Sequence, residues 1–240
     1  MNTHIGFEQC LSFINCHMRS GKAPGPDEDG AARRAVTISR QMGSGAHTIA
    51  EGLAHYLQDR GDGSQWAVFD RNLVERVLED HHLPKRLAAF MPEDRIRGMQ
   101  DTLDELFGLH PPSWELVRQT AETILRLAEM GNVIVIGRGA NIITAKLDHV
   151  FHVRLVGSLE QRRQRVQEAE HVSAKEALAK IRKADAGRKR YLRRYFRRDI
   201  NDSMLYHLTI NTDLVPCEQA VVLIGDAVLN RSSKLRYAVS

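Results

Sequence analysis

Hydrophobic positions along the chain fall into two alternating kinds of run. AVTIS (35–39), WAVF (66–69), VIVI (133–136), VFHVRLV (150–156) and LTIN (208–211) are short apolar stretches rich in β-branched residues and bounded by polar or glycine turns. That pattern predicts strands. VIVI and VFHVRLV are continuous enough for strands buried on both faces, as in a parallel sheet. Between these runs the apolar residues recur every three or four positions. Ile49, Leu53, Tyr56 and Leu57 share one helical face, Leu116, Ile124 and Leu127 another that stops at Gly131, and NLVERVLED (72–80) and 217–229 read the same way. Ser113 is placed to cap the helix before Gly131, and Ser158–Gln161 and Ser173–Glu176 are capping boxes that open two more. Strands alternating with helices predict an α/β fold: a three-layer arrangement around a parallel five-stranded sheet. In such sheets ligands sit beyond the carboxyl ends of the strands, where the glycine-rich and charged turns of this sequence fall.

The remaining segments set the organisation. Ile5, Phe7, Leu11, Phe13, Ile14 and Met18 give residues 1–20 the apolar side of a short amphipathic helix, and SGKAPGPDEDG (20–30) reads as a linker. Residues 1–34 are therefore expected to precede an α/β domain at 35–230, with a tail at 231–240. Prolines and glycines punctuate 81–112 into a helical excursion from the sheet. A hydrophobic content of 42% fits a soluble globular chain of 240 residues. No run approaches the ~18 apolar residues of a membrane span, and the first twenty residues do not read as a secretory signal. Three scattered cysteines point to a reducing, cytoplasmic setting. The net charge of +4 excludes little, but its placement matters: residues 182–198 hold nine Lys or Arg and one Asp, interleaved with Tyr191, Tyr195 and Phe196. Such a segment faces solvent or anions, and basic residues among aromatics are also a single-stranded nucleic-acid pattern. Nothing in the sequence separates a monomer from a homodimer.

The turn after the first strand, Ser39 to Thr48, is the main candidate for chemistry. Gly43 and Gly45 allow close backbone approach, and the following helix offers its amino-terminal N–H groups. The phosphate-loop pattern GxxxxGK[ST] is incomplete: Arg40 or Ser39 replaces its first glycine, and Ala46 stands in the lysine position. The turn is either a phosphate cradle or a plain strand–helix connection. His47 and Arg40 are candidates for the missing cation. Asp70-Arg71 and Gly137-Arg138-Gly139 end two other strands, and an arginine between glycines after a buried strand suits phosphate better than packing. Arg162 and Arg165 share a helical face, with Arg163 on another. Asn211, Thr212 and Asp213 follow the last strand. His149 and His152 lie on or beside a strand and read as structural, and His81-His82 lacks a ligand partner at metal spacing.

Six pieces carry a resemblance: TISRQMGSGAHTIAEGLA (37–54), FDRNLVERV (69–77), ILRLAEMGNVIVIGRGANII (124–143), VFHVRLVGSLEQRRQRV (150–166), DAGRKRYLRRYF (185–196) and YHLTINTDLV (206–215). In this order they resemble the nucleoside-monophosphate kinases, and are most similar to the cytidylate kinase-like family. The resemblance implies a P-loop core, a basic lid at 170–200, and transfer of the ATP γ-phosphoryl group to a nucleoside monophosphate, nominally cytidylate. It implies ATP and Mg²⁺ as cofactors and small nucleotides as partners. Donor phosphates would lie on Gly43, Ser44, Gly45, Ala46, His47 and Thr48, with the Thr48 hydroxyl supporting the metal. Asp70, Arg71 and Arg138 would face the acceptor, and Asn211 and Thr212 the adenine. Arg162, Arg165 and Arg188 would stabilise the transferring charge, with Asp185 on a ribose hydroxyl. The chain departs from proven cytidylate kinases at Ala46 (Lys), His47 (Gly) and Gly139 (Asp); the kinase-like branch commonly lacks the lysine. Two classes of function follow: a phosphotransferase, or a nucleotide-, RNA- or partner-binding protein that keeps the fold without the reaction.

Overall fold

A computed structural model of the protein describes residues 12–14, 34–70, 72, 74, 93–107 and 114–231. The expected linker, most of the 81–112 excursion, Arg71, His81, His82, Ser113 and the tail beyond 231 lie outside the described residues. The elements run β1 (Ala35–Arg40), α1 (Ala46–Arg60), β2 (Ala67–Phe69), α2 (Glu93–Phe107), α3 (Glu115–Met130), β3 (Val133–Ile136), α4 (Ala140–Ile143), β4 (Val150–Val156), α5 (Leu159–Glu170), α6 (Ala174–Phe196), a 3₁₀ turn (Ser203–Leu205), β5 (Leu208–Asn211) and α7 (Cys217–Leu229). All five strands are parallel, in the order β2-β3-β1-β4-β5. The chain thus winds to one side of β1 and then to the other, and the crevice above the carboxyl end of β1 is the position open α/β sheets use for ligands.

Strand periodicity sorts the core into two layers. Val36, Ile38, Ile134, Ile136, Val153 and Leu155 point to the face covered by α1 and α7. Ala35, Val133, Val135 and Val150 point to the other, covered by α2, α3, α4 and the end of α6. All four residues of β3 are buried, and each large aliphatic side chain so placed contributes roughly 1.5–3 kcal/mol. Of the expected amino-terminal helix, residues 12–14 are described; they are helical, and Phe13 meets the Phe69 ring edge-on, 6.4 Å between centroids.

β1 and β4 also carry a polar seam. Their register sets Thr37 opposite His152 and Ser39 opposite Arg154. Both facing pairs are hydrogen-bonded, Thr37 Oγ1 to His152 Nδ1 at 2.8 Å and Arg154 Nη1 to Ser39 Oγ at 2.9 Å.

One helical face differs from expectation. Leu116 is 65% exposed, while Thr120, Ala121, Ile124, Leu125, Leu127 and Ala128 are buried. Leu116 lies in the first turn, before the buried stripe begins. Thr120 and Thr123 can take buried positions because their hydroxyls donate to the carbonyls of Leu116 and Gln119, four residues back. The Ser173 capping box is complete, whereas Ser158 caps Gln161 N without the reciprocal bond. Among the described residues no helix is long and apolar enough to cross a membrane.

Candidate active site

The turn after β1 has the backbone geometry of an anion cradle. Gly45 caps α1 in the left-handed region (φ 76°), following Gly43 at φ 80°. Among the described residues, no protein carbonyl or side chain accepts the N–H groups of Gly45, Ala46, His47 or Thr48. These groups lie at the positive end of a fifteen-residue helix, where main-chain amides and the helix dipole favour phosphate. Ser44 is buried and its hydroxyl donates to Gln41 O. His47 and Thr48 are exposed. The methyl group of Ala46 is buried within the α1–α7 core, so no side chain from the lysine position enters the cradle.

Three residues from α5 and α6 hold the turn in place. The buried Arg162 donates from Nη1 to Met42 O (3.1 Å) and Asp185 Oδ2 (2.6 Å), and from Nε to Gly157 O (3.0 Å). Asp185 Oδ1 accepts from Met42 N and from Arg188 Nη1, each at 2.9 Å. Arg165 donates to Gly43 O (3.4 Å), Thr212 Oγ1 (3.0 Å) and Thr212 O (2.8 Å) and lies 3.6 Å from Asp213. The side chains of Arg162, Arg165 and Asp185 are thus committed to the loop and to the turn after β5. Thr212 is buried, donating to Val156 O, and the exposed Asn211 accepts from Asp213 N through its side chain. Arg163 pairs with Glu160, away from the site.

Beside the cradle lies a cleft of about 550 Å³ between the ends of β1 and β3 and the underside of α6. Arg40, Arg138, Lys180, Lys183 and Arg188 line it together with Tyr191, and no carboxylate is among its described lining residues. The turn after β3 is the unusual part. Gly137, Arg138 and Gly139 all have positive φ, at 86°, 55° and 72°. A non-glycine residue held there costs of order 1 kcal/mol or more, and such strain clusters at functional sites. Glycine at 137 leaves the space the Arg40 guanidinium occupies: a Cβ there would stand 1.7 Å from Arg40 Nη1. Burial, and next the neighbouring Arg188, hold the Arg40 pKa down to about 10, although Asp70 opposes this; the group stays charged at neutral pH. Arg138 lies over the Tyr191 ring at 5.9 Å, and burial pushes the Tyr191 hydroxyl up to about 12.

A larger cavity, about 720 Å³, opens on the sheet face beneath the end of α6 and shares Asn141 with the cleft. Its floor includes His152, pushed down to about 3 by burial and then by His207 and Arg231. The cleft is the better candidate because its cations converge at the strand ends beside the amide cradle.

The structure therefore brings Arg40, Arg138 and Arg188 together, sets Asp70 within electrostatic reach, and puts Gly43 to Thr48 alongside. The sequence reading passed over Gly187, Tyr191 as a cleft wall, and above all Arg154. The signal for Arg154 was there: with His152 it interrupts an otherwise apolar strand, and it is the one fully charged residue in it. His149 bonds the Ala128 carbonyl, and among the described residues no group of three His, Cys, Asp or Glu could hold a metal.

A model of the cytidylate kinase-like family matches residues 35–214, which spans β1 to β5 and includes the glycine turn, the cleft and α6. The chain belongs to that family. It is similar to the cytidylate kinase of Methanothrix thermoacetophila, 30% identical over 177 residues that cover 74% of this chain and 87% of that protein. The Thermococcus sibiricus cytidylate kinase is 36% identical over 178 residues (74% and 78%), and that of Pyrococcus horikoshii 33% over 160 (65% and 80%). In structure the chain is similar to an uncharacterized protein from Eubacterium ventriosum, at a TM-score of 0.66 and 22% identity, over 83% of this chain and 99% of that one. Gly139, a position where the resemblance leads to the expectation of aspartate, faces the Phe196 ring, and a Cβ there would lie 2.7 Å from Phe196 Cε2.

Proposed function

We propose that the protein transfers the γ-phosphoryl group of ATP to a nucleoside monophosphate of the CMP or dCMP kind, or to a related phosphorylated acceptor. The observation that carries this reading is the convergence of Arg40, Arg138 and Arg188, from three separate elements, on one cleft with no carboxylate among its described lining residues, beside helix-terminal amides that have no acceptor among the described residues. Phosphoryl transfer needs positioning and charge neutralisation more than covalent chemistry. In this reading the N–H groups of Gly43 to Thr48 take the donor phosphates, and Asn211 and Thr212 lie near the adenine. Arg138, with Asp70 and Arg71, takes the acceptor. Arg188 meets the transferring group, while Arg162, Arg165 and Asp185 hold cradle and lid together. Mg²⁺ would neutralise charge on the phosphates. Here it fits as an ion carried mainly by the nucleotide, with the exposed Thr48 hydroxyl as its protein contact. Small nucleotides are the partners, and the cytoplasm supplies them.

One observation favours a second reading, a nucleotide-binding protein without turnover. The Ala46 methyl is buried in the core, and Arg162 and Arg165 spend their donors on loop carbonyls. ADP release over a panel of monophosphates separates the two. Phosphotransfer predicts one acceptor-dependent rate that falls by about a hundredfold or more in Arg188→Ala. A flat panel with ATP still bound supports the second reading.

A further inference from the structure

Arg154 has no part in the function argued so far, and its surroundings are unusual for a cation. It sits within β4 and is 4% exposed. Of its five N–H donors, one is used: among the described residues its acceptor is Ser39 Oγ, and no carboxylate lies within ion-pairing distance. Its guanidinium lies over the Tyr206 ring at 5.9 Å. The Tyr206 hydroxyl in turn donates to Ile200 O at 2.9 Å and lies 3.3 Å from the Ser39 hydroxyl, from which it can accept, and this fixes the wall against which Arg154 rests. The nearby acid, Asp185, is already engaged by Met42 N, Arg162 and Arg188. A buried, unpaired cation is costly and is normally matched by an anion.

The space in front of it fits such an anion. Arg40, Gln41, Arg154, Asp185, Arg188 and Lys189 line a cavity of about 200 Å³. That is below the range of pockets that enclose a drug-sized molecule and suits one tetrahedral oxyanion. Arg40, Arg188 and Ile200 belong both to this cavity and to the larger cleft, so two cationic chambers share a wall that carries two arginines.

We infer that Arg154 is a phosphate-binding residue, and that the chamber it shares with Arg40 and Arg188 holds one phosphate group of a bound nucleotide, next to a second phosphate in the larger cleft. The inference rests on the phosphotransfer reading only for which nucleotide supplies the group. That source is either the terminal phosphate of the donor, with Arg154 standing in for the lysine absent at Ala46, or the acceptor's phosphate.

Calorimetric titration of the full-length protein with tripolyphosphate and, separately, with CMP tests this without turnover. Wild type is expected to bind both. Arg154→Met should weaken at least one by about tenfold or more, the usual contribution of charge-assisted hydrogen bonds to a buried phosphate. Its unfolding temperature should stay at or above that of wild type, because an apolar side chain of similar length replaces an unpaired charge. Loss confined to tripolyphosphate assigns the chamber to the donor, loss confined to CMP to the acceptor, and loss of both at unchanged unfolding temperature to a phosphate common to the two. Unchanged affinity for both overturns the inference, as does a wild type that binds neither, or a variant that loses binding only because it unfolds earlier. If Arg154→Met does not fold, selenate soaked into wild-type crystals decides: anomalous density between Arg40, Arg154 and Arg188 supports the site, and an empty chamber overturns it. A protein that transfers nothing still gives a result in either experiment. An active enzyme whose affinities ignore Arg154 removes only this residue's role.

Discussion

Gly187 is an expensive residue in its position, and the cleft supplies the reason for it. It lies inside α6, a helix of 23 residues, on the face that lines the cleft. Glycine in a helix interior is about 0.8–1.0 kcal/mol less favourable than alanine. Nothing lies within 4 Å of the position a Cβ would take, and its φ is not in the left-handed region, so packing does not demand glycine. Gly187→Ala should therefore raise stability by up to about 1 kcal/mol, or roughly 2–4 °C in a chain of this size. Gly187→Leu should keep most of that gain, since leucine is also a good helix former, while its side chain projects into the 550 Å³ space. Thermal unfolding and nucleotide titration on both variants give the result. Stability should rise in both, and affinity for CMP should fall with side-chain size, by about tenfold or more for leucine. A Gly187→Leu protein that binds CMP like wild type would remove the cleft as the acceptor site. A destabilised Gly187→Ala protein would refute the account of the helix.

Three further outcomes follow from named contacts. Asp185→Ala strips partners from Arg162, Arg188 and Met42 N and leaves Arg162 buried; urea unfolding should show a loss of about 3 kcal/mol, largely recovered in Asp185→Ala/Arg162→Met, and a loss below about 1 kcal/mol would contradict the hub assigned to Asp185. Gly137→Ala puts a methyl group where Arg40 Nη1 lies, so phosphate affinity should fall as in Arg40→Met, and the double variant should bind no worse than Arg40→Met alone. His152 is held neutral in the fold, at about 3 against an ordinary 6.5; the unfolded chain takes up the proton first, so stability is full above pH 6.5 and declines toward pH 3, by roughly 1.4 kcal/mol per pH unit below about 6. His152→Gln should flatten that slope in urea titrations at pH 7, 6 and 5, and equal slopes would dismiss the group.

Much of this was legible in the chain. The apolar runs gave all five strands to within one residue at either end, because a parallel sheet covered on both faces needs uninterrupted β-branched segments. The glycine turn and Gly137-Arg138-Gly139 were visible for a similar reason: left-handed backbone leaves a compositional mark. Leu116 was misread because spacing alone does not reveal that Thr120 and Thr123 can bury their hydroxyls against their own helix. The committed hydrogen bonds of Arg162, Arg165 and Asp185 were hidden because they depend on how α5 and α6 seat against the loop. Arg154 escaped notice for a different reason. Its neighbours Ser39 and Tyr206 are set by strand register and by a turn some fifty residues downstream, neither of which a local pattern records.

The Asp185 carboxylate has a consequence for how ligands enter. Through one oxygen it grips a main-chain amide of the cradle, and through both it grips arginines of α5 and α6. Lifting the helix from the doorway must therefore release Met42 in the same stroke. On the proposed function, admission of a nucleotide would coincide with loosening of the seat that receives it, and neither half of the pocket would wait, preformed, for the other.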